Sequence, residues 1–291
     1  MTNQFIKSPN QETEFTLREV QELKKCMRDP VYFMCNYVRV QHPKRGNVPF
    51  ILYEFQKRLI AAINNPEKRW CIALLARQCG KTQVIAMYLL WIATFKSDQQ
   101  ILIASKNNSH AVEIMDRIRY AYEELPFWLK PGCITYNRHT IVFDNKSQIR
   151  SESTTEKTGR GLSVSILYLD ELAFVRPSIQ EEMWSSLAPT LSTGGFAIIS
   201  STPNGDTDLF ANLWRGAEMD ANGFLPFRAH WDEHPERGPE YLADMTRKLG
   251  ETKMRQEILC VSGDTRVNIN NGKQNKNMTI EEAYAYLLAN Q

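Results

Sequence analysis

Apolar residues along this chain fall into two periodicities that alternate with one another. Phe55, Leu59, Ile60 and Ile63 recur at helical spacing within residues 50–63, and Ala111, Ile114, Met115, Ile118 and Tyr122 share one face of a helix expected over residues 109–125, which Pro126 closes. Residues 83–95 are apolar on all sides, the density of a buried helix. Between these segments lie short β-rich runs, one opening at Cys71 and others at residues 100–105, 140–143, 147–150, 165–169 and from Phe196 onward. The runs at 140–143 and 147–150 read as an antiparallel hairpin turning through Asp144-Asn145. Near the start, Thr16 and Glu19 form a capping box for a helix running towards Met27, and Asp29-Pro30 stops it. A second short apolar segment over residues 31–40 runs into His42-Pro43-Lys44-Arg45-Gly46, which fits a solvated turn or a nucleic-acid contact. Strands alternating with helices predict an α/β protein, a mainly parallel sheet flanked by helices with its functional loops at the carboxyl ends of the strands.

Composition narrows the class. A chain of 291 residues with 43% hydrophobic and 23% charged content is ordinary for a globular protein with a sizeable core, and a net charge of +2 leaves any nucleic-acid contact to a local patch. Six scattered cysteines without a C-x-x-C pair indicate neither a zinc site nor a disulfide framework and fit a reducing compartment. The first residues lack the apolar core of a signal peptide, and the longest apolar run is too short to span a bilayer, so no membrane role is expected.

The chemistry sits where the runs end. The strand opening at Cys71 leads through Arg77-Gln78-Cys79-Gly80 to Lys81-Thr82 and a helix. In that order the loop N–H groups and the helix N-terminus converge on one point suited to a polyphosphate, with Lys81 reaching the β- and γ-phosphates of ATP and the Thr82 hydroxyl a ligand for Mg²⁺. The phosphate-loop pattern asks for glycine at position 75, where this chain has Leu75; taken alone, Gly-Lys-Thr also fits a solvated loop at a helix start. Downstream, four apolar residues end in Asp170-Glu171. Burying both acids for packing alone would cost several kcal/mol, so they belong at the strand's exit, Asp170 holding the metal and Glu171 accepting a proton from the attacking water. The run from Phe196 ends in Ser201-Thr202-Pro203-Asn204-Gly205, which suits either γ-phosphate sensing or a plain turn. Gln56 offers the donor and acceptor that an adenine edge requires, or is simply exposed. The joint occurrence of these pieces, in order, points to a nucleotide hydrolase.

Together they resemble the large subunit of the DNA-packaging terminases of tailed bacteriophages, over residues 31–259. The resemblance rests on Ala76-Arg-Gln-Cys-Gly-Lys-Thr82, Leu169-Asp-Glu-Leu-Ala-Phe174, Ser201-Thr-Pro-Asn-Gly205 and Glu54-Phe-Gln-Lys-Arg58, with Arg160-Gly161, Trp231-Asp-Glu-His-Pro235, Leu249-Gly250 and Gln256-Glu257 in support. The family's phosphate loop carries arginine and lacks the first glycine, so Leu75 fits it. The resemblance implies a P-loop fold of the recA/ASCE type and an ATPase that drives double-stranded DNA into a capsid as a homo-oligomeric ring on the portal protein, with a small terminase subunit as partner, in the host cytoplasm. It also implies that Arg77 is an arginine finger within the subunit, with Arg160 a candidate across the ring. Gln56 reads adenine, Gln78, Cys79 and Gly80 line the phosphates with Lys81 and Thr82, and Ser201, Thr202 and Asn204 couple hydrolysis to movement.

Family members continue into a two-metal nuclease domain beyond the position of Gln256-Glu257. Here Cys260-Val-Ser-Gly-Asp-Thr-Arg-Val267 instead resembles the amino-terminal block of an intein. That resemblance implies two units, residues 1–259 and 260–291, with Cys260 as the nucleophile that attacks the Leu259 carbonyl in an N-to-S acyl shift. The later blocks of an intein are missing from residues 260–291, so the expectation is a split intein whose C-terminal fragment is fused to the nuclease half, or a truncated chain. Thr279-Ile-Glu-Glu282 would cap an amphipathic helix carrying Ala283, Tyr284, Leu287 and Leu288. Alternatives are an ordinary hairpin and helix with Cys260 a buried thiol, a superfamily 2 helicase-like translocase, and an inactive terminase remnant that only carries the intein.

Overall fold

In the computed structural model, which describes residues 5–192, 194–260, 266–270 and 275–279, side-chain caps fix the first two helices. Thr16 Oγ1 accepts from the Glu19 N–H at 3.2 Å and Glu19 Oε2 accepts from the Thr16 N–H at 2.8 Å, opening α1 (Leu17–Arg28) with the expected capping box. Asp29 ends α1 and caps α2 (Pro30–Tyr37), its Oδ1 accepting from the Val31 and Tyr32 N–H groups. The apolar segment expected over residues 31–40 therefore divides, its second part entering β1 (Arg39–His42). That strand pairs antiparallel with β2 (Gly46–Pro49), and the basic residues form the turn between them.

The periodic segments then fold in order: α3 (Glu54–Ile63), β3 (Trp70–Leu75), α4 (Lys81–Phe95), β4 (Gln100–Ser105) and α5 (Asn108–Glu124). Next come β5 (Cys133–Tyr136), β6 (Thr140–Phe143), β7 (Gln148–Ser153), β8 (Ile166–Asp170), α6 (Pro177–Ser192), β9 (Phe196–Ser201), α7 (Leu209–Glu218) and β10 (Phe224–Ala229). The chain continues through α8 (Pro239–Leu249), the short α9 (Glu251–Met254) and a π-helical turn at Arg255–Leu259. A separate antiparallel hairpin joins β11 (Arg266–Asn270) to β12 (Asn275–Thr279). The helix expected after Thr279 lies outside the described residues. Among those described, no helix is long and apolar enough to cross a membrane.

Eight strands form the central sheet in the order β10-β3-β9-β8-β4-β7-β6-β5. The first six are parallel, while β6 and β5 add an antiparallel edge, with the β6–β7 pair turning where the sequence predicts a hairpin. Sequence periodicity does not mark β10: Phe224-Leu-Pro-Phe-Arg-Ala229 contains Pro226, which a strand tolerates at a sheet edge, and β10 is an edge.

Side chains on a strand alternate between faces, and both faces of this sheet are covered. Cys71, Ala73 and Leu75 of β3, Ile101 and Ile103 of β4, and Ile166 and Tyr168 of β8 pack with α2 to α5 in one cluster. Ile72, Leu74, Leu102, Leu167 and Leu169 face the other way, against Met183, Leu187 and Leu191 of α6 and Phe210 of α7. Helix α4 is buried on nearly all sides, as its unbroken apolar sequence requires. The registers bring Leu74 opposite Ser201 and Asp170 opposite Ser200, so β3, β9 and β8 end on one line.

Candidate nucleotide site

Past the end of β3 the chain makes a tight loop before α4. Gln78 and Gly80 both take left-handed backbone, with φ of 59° and 79°. At Gly80 that conformation is combined with a close approach, since an added Cβ would lie 2.8 Å from Gln56 Nε2. Gln56 is buried under the loop: its Oε1 accepts from the Tyr53 N–H and its Nε2 donates to the Cys79 carbonyl, each at 3.0 Å. Gln56, expected to read adenine, thus ties the start of α3 to the loop before α4.

Lys81, the first residue of α4, crosses to the end of β8. Its Nζ lies 2.8 Å from Glu171 Oε1 as an ion pair without hydrogen-bond alignment, and it is 6% exposed. Burial alone would lower the Lys81 pKa, but Glu171 and Asp170 together hold it above 10.5. For Glu171 the signs reverse: burial, the largest single influence, raises the carboxyl, but Lys81, the Thr202 backbone N–H and Arg77 together outweigh it and leave the pKa below 4.5. Glu171 itself sits in left-handed backbone at φ 56°, ψ 42°, a conformation that costs a non-glycine residue about 1–3 kcal/mol and marks functional positions.

Asp170 is fully buried and fixed from both sides. Its Oδ1 accepts from Ser200 Oγ at 2.8 Å and from the Tyr168 hydroxyl at 2.9 Å, while Oδ2 accepts from Thr82 Oγ1 at 3.2 Å. His110 Nδ1 lies 3.7 Å from the same Oδ2 and 3.1 Å from Ser105 Oγ. Thr82 and Asp170 are therefore together, as two oxygen donors suited to a hard cation.

The loop after β9 closes the site. Ser201 Oγ lies 3.4 Å from Glu171 Oε2, and Thr202 Oγ1 lies 3.4 Å from Glu257 Oε2. Asn204 Nδ2 donates to the Ala173 carbonyl, and Gln256 Nε2 donates to both the Pro203 carbonyl and Asn204 Oδ1, all at 3.0 Å.

Arg77 is held by the C-terminal segment through both its backbone and its side chain. Its N–H donates to the Glu257 carbonyl at 2.8 Å, its carbonyl accepts from Arg237 Nη2 at 2.9 Å, and its guanidinium meets both Glu257 carboxylate oxygens. Across the loop, Phe174 is flanked by Arg77 and Lys106 at 5.9 and 5.6 Å. Arg160, the candidate for action across a ring, pairs with Glu182 on the exposed surface.

Cys260 follows the π-helical turn in left-handed backbone at φ 54° and is 6% exposed among the residues packed on α6 and α7. Burial pushes its thiol pKa up to about 12. A cavity of about 380 Å³ lies between β1 and α5 and meets this region only at Gln83.

Tyr168, Ser200, Arg237 and Glu257 belong to the site, yet sequence reasoning gives them no role. For Tyr168 a signal exists, because residues two apart on a strand share a face and Asp170 follows at that spacing. Arg237 joins the loop from 160 residues away and carries no local signal, while Glu257, 180 residues away, is marked only by the Gln256-Glu257 match.

A family model described as the terminase large subunit, T4likevirus-type, N-terminal part, matches residues 72–278. The chain belongs to that family. The match crosses the unit boundary expected at residue 259. Solved structures of terminase large subunits share the fold of this terminase chain. The large terminase ATPase domain of Thermus phage P74-26 is 24% identical with a TM-score of 0.57, the match covering 72% of this chain and 93% of that one. The large terminase of bacteriophage HK97 is 19% identical with a TM-score of 0.69, covering 83% of this chain and 56% of that one. A further large terminase, from a thermophilic bacteriophage and in complex with ADP, is 15% identical with a TM-score of 0.60, covering 75% and 55%. The terminase chain thus spans a little over half the length of the HK97 protein and of the ADP-bound one.

Proposed function

We propose that this terminase chain is the Mg²⁺-dependent ATP-hydrolysing motor domain that translocates double-stranded DNA during viral packaging. The observation that carries the reading is the meeting of Lys81 with Glu171 and of Thr82 with Asp170, across the ends of β3 and β8. The position of β9 between β3 and β8 supports the ASCE type of P-loop fold. The large terminase of the thermophilic bacteriophage, known in ADP-bound and ATP-gamma-S-bound forms, supports a nucleotide as the ligand.

The chemistry follows from these groups. Loop N–H groups and Lys81 receive the phosphates, for which Lys81 must exchange its pairing with Glu171. Thr82 and Asp170 would hold Mg²⁺, which neutralises phosphate charge when bound. Glu171, ionised at neutral pH, accepts a proton from the attacking water, with Ser201 beside its Oε2 to orient it. Arg77, released from Glu257, stabilises the charge that develops on the transferred phosphoryl group. Glu171, Ser201, Thr202, Glu257 and Arg77 form one run of contacts, a physical route from hydrolysis to movement of the C-terminal segment.

The partners of this reading are double-stranded viral DNA, the portal protein, the small terminase subunit and further copies in a ring, in the host cytoplasm at the procapsid. Residues 260–291 are read as the N-terminal fragment of a split intein that joins the motor to a nuclease half by trans-splicing. The block beginning at Cys260 and the β11–β12 hairpin support it.

Two experiments test the reading. ATP hydrolysis should rise on adding double-stranded DNA and vanish in Lys81→Ala; activity untouched by that substitution refutes the motor. Mixing with the complementary intein fragment should yield a product mass lacking residues 260–291, and a bound partner with unchanged masses refutes splicing.

A further inference from the structure

Gln56 uses one amide N–H on the Cys79 carbonyl and one carbonyl lone pair on the Tyr53 N–H, which leaves it at most one donor and one acceptor for a base and no surface on which a base can stack. The rings of Tyr53, whose N–H Gln56 holds, and His234 pack together, centroids 4.8 Å apart at 64°, with the buried Phe55 ring 6.0 and 6.3 Å from them. Tyr53 and His234 are only partly buried, and two residues before Tyr53 the large apolar side chain of Ile51 is 73% exposed.

Two separate tethers fix this pair at the phosphate loop. Tyr53 is the N-cap of α3, and its N–H is gripped by the same Gln56 amide that holds the Cys79 carbonyl. His234 lies on the segment whose Arg237 Nη2 holds the Arg77 carbonyl at 2.9 Å. The imidazole tautomer is also set: Nδ1 accepts the Glu236 N–H at 3.2 Å, which leaves the ring proton on Nε2 as a donor. Burial first, and Arg237 second, hold the His234 pKa below its usual value, keeping the ring neutral.

We propose that Tyr53 and His234 form the base-binding wall of the nucleotide site, the rings packing against a purine while His234 Nε2–H donates to a ring nitrogen. Gln56 then acts as the strut that ties this wall to the phosphate loop. The assignment rests on the nucleotide-hydrolase reading and adds the base contacts to it.

The test is calorimetric titration of ADP and of pyrophosphate, both with Mg²⁺, into the full chain and its Tyr53→Ala and His234→Ala variants. Neither substitution touches the backbone N–H that Gln56 holds. Loss of a base–aromatic contact should weaken ADP roughly tenfold in each variant, with pyrophosphate unchanged and Tyr53→Phe close to wild type. Equal weakening of ADP and pyrophosphate, or no change in either, overturns the assignment. Wild-type protein that binds neither ligand overturns the hydrolase reading, and the wall with it. Photolabelling of wild-type protein with 8-azido-ADP needs no substitution: label is expected on the peptides carrying Tyr53 or His234, and label elsewhere overturns the assignment.

Discussion

The guanidinium of Arg77 is clasped by both carboxylate oxygens of Glu257, Nε at 2.7 Å and Nη2 at 3.0 Å, across 180 residues of sequence. This two-pronged, charge-assisted pair holds the half-exposed guanidinium against the C-terminal segment. If Arg77 acts on the transition state, it does so after this clasp opens. Arg77→Ala should therefore lower kcat by about 10³-fold or more while retaining most ATP binding. Steady-state turnover measured beside equilibrium nucleotide binding checks it; substantial turnover in the variant removes Arg77 from the chemistry.

Tyr168 and Ser200 together hold Asp170 Oδ1, leaving Oδ2 to face Thr82. Tyr168→Phe keeps the ring and deletes one of the two donors. Loss of such an outer partner typically costs 10- to 100-fold in metal affinity, so the Mg²⁺ concentration for half-maximal hydrolysis should rise by roughly that factor. An unchanged Mg²⁺ dependence would mean that Asp170 does not hold the metal.

Gly80→Ala meets two obstacles, a left-handed φ of 79° and the Gln56 amide 2.8 Å from the new Cβ. The backbone strain alone costs about 1–2 kcal/mol. Chemical denaturation should show that loss, and ADP binding should weaken because the loop is displaced from its strut. A variant with wild-type stability and affinity would show that the loop does not need this conformation.

Burial pushes the thiols of Cys26, Cys71 and Cys260 up to about 12 and that of Cys133 to about 11, from 9.0. At pH 8 a thiol with a pKa of 12 is ionised to about one part in 10⁴, so brief iodoacetamide treatment should label Cys35, which is partly exposed, before the buried five. The linkage has a definite sign. Because the folded pKa values exceed the unfolded one, the thiols' contribution to stability is intact below pH 9 and is lost as pH rises towards 12. Peptide mapping of the label and denaturation curves at pH 8 and 10 check both. Early labelling of Cys260 would contradict its burial.

The central strands and the loop at Lys81 were legible because burial on both faces writes an unbroken apolar run, and because each run stops at its candidate site residues. Lys81, Thr82, Asp170, Glu171 and Ser201 meet as their order along the chain implies. What local pattern could not supply was the third dimension of the C-terminal segment. Arg237, Gln256 and Glu257 reach the site by chain reversal, and Gln56, which the sequence leaves as an adenine reader or an exposed side chain, is buried and bonded to the Cys79 carbonyl. The edge strand β10 was likewise hidden by Pro226, which is tolerated there because one side of an edge strand needs no ladder. The helix expected after Thr279 falls outside the described residues.

Of the groups proposed to act on ATP, Glu171 is the one that hydrolysis should depend on most directly. A single-turnover assay with γ-labelled ATP, Mg²⁺ and double-stranded DNA, run on wild type and Glu171→Gln, separates binding from chemistry. The substitution removes the proposed proton acceptor and the negative partner of Lys81, so the variant should bind ATP at least as tightly as wild type and release essentially no labelled phosphate. Phosphate release by Glu171→Gln at the wild-type rate would contradict the account.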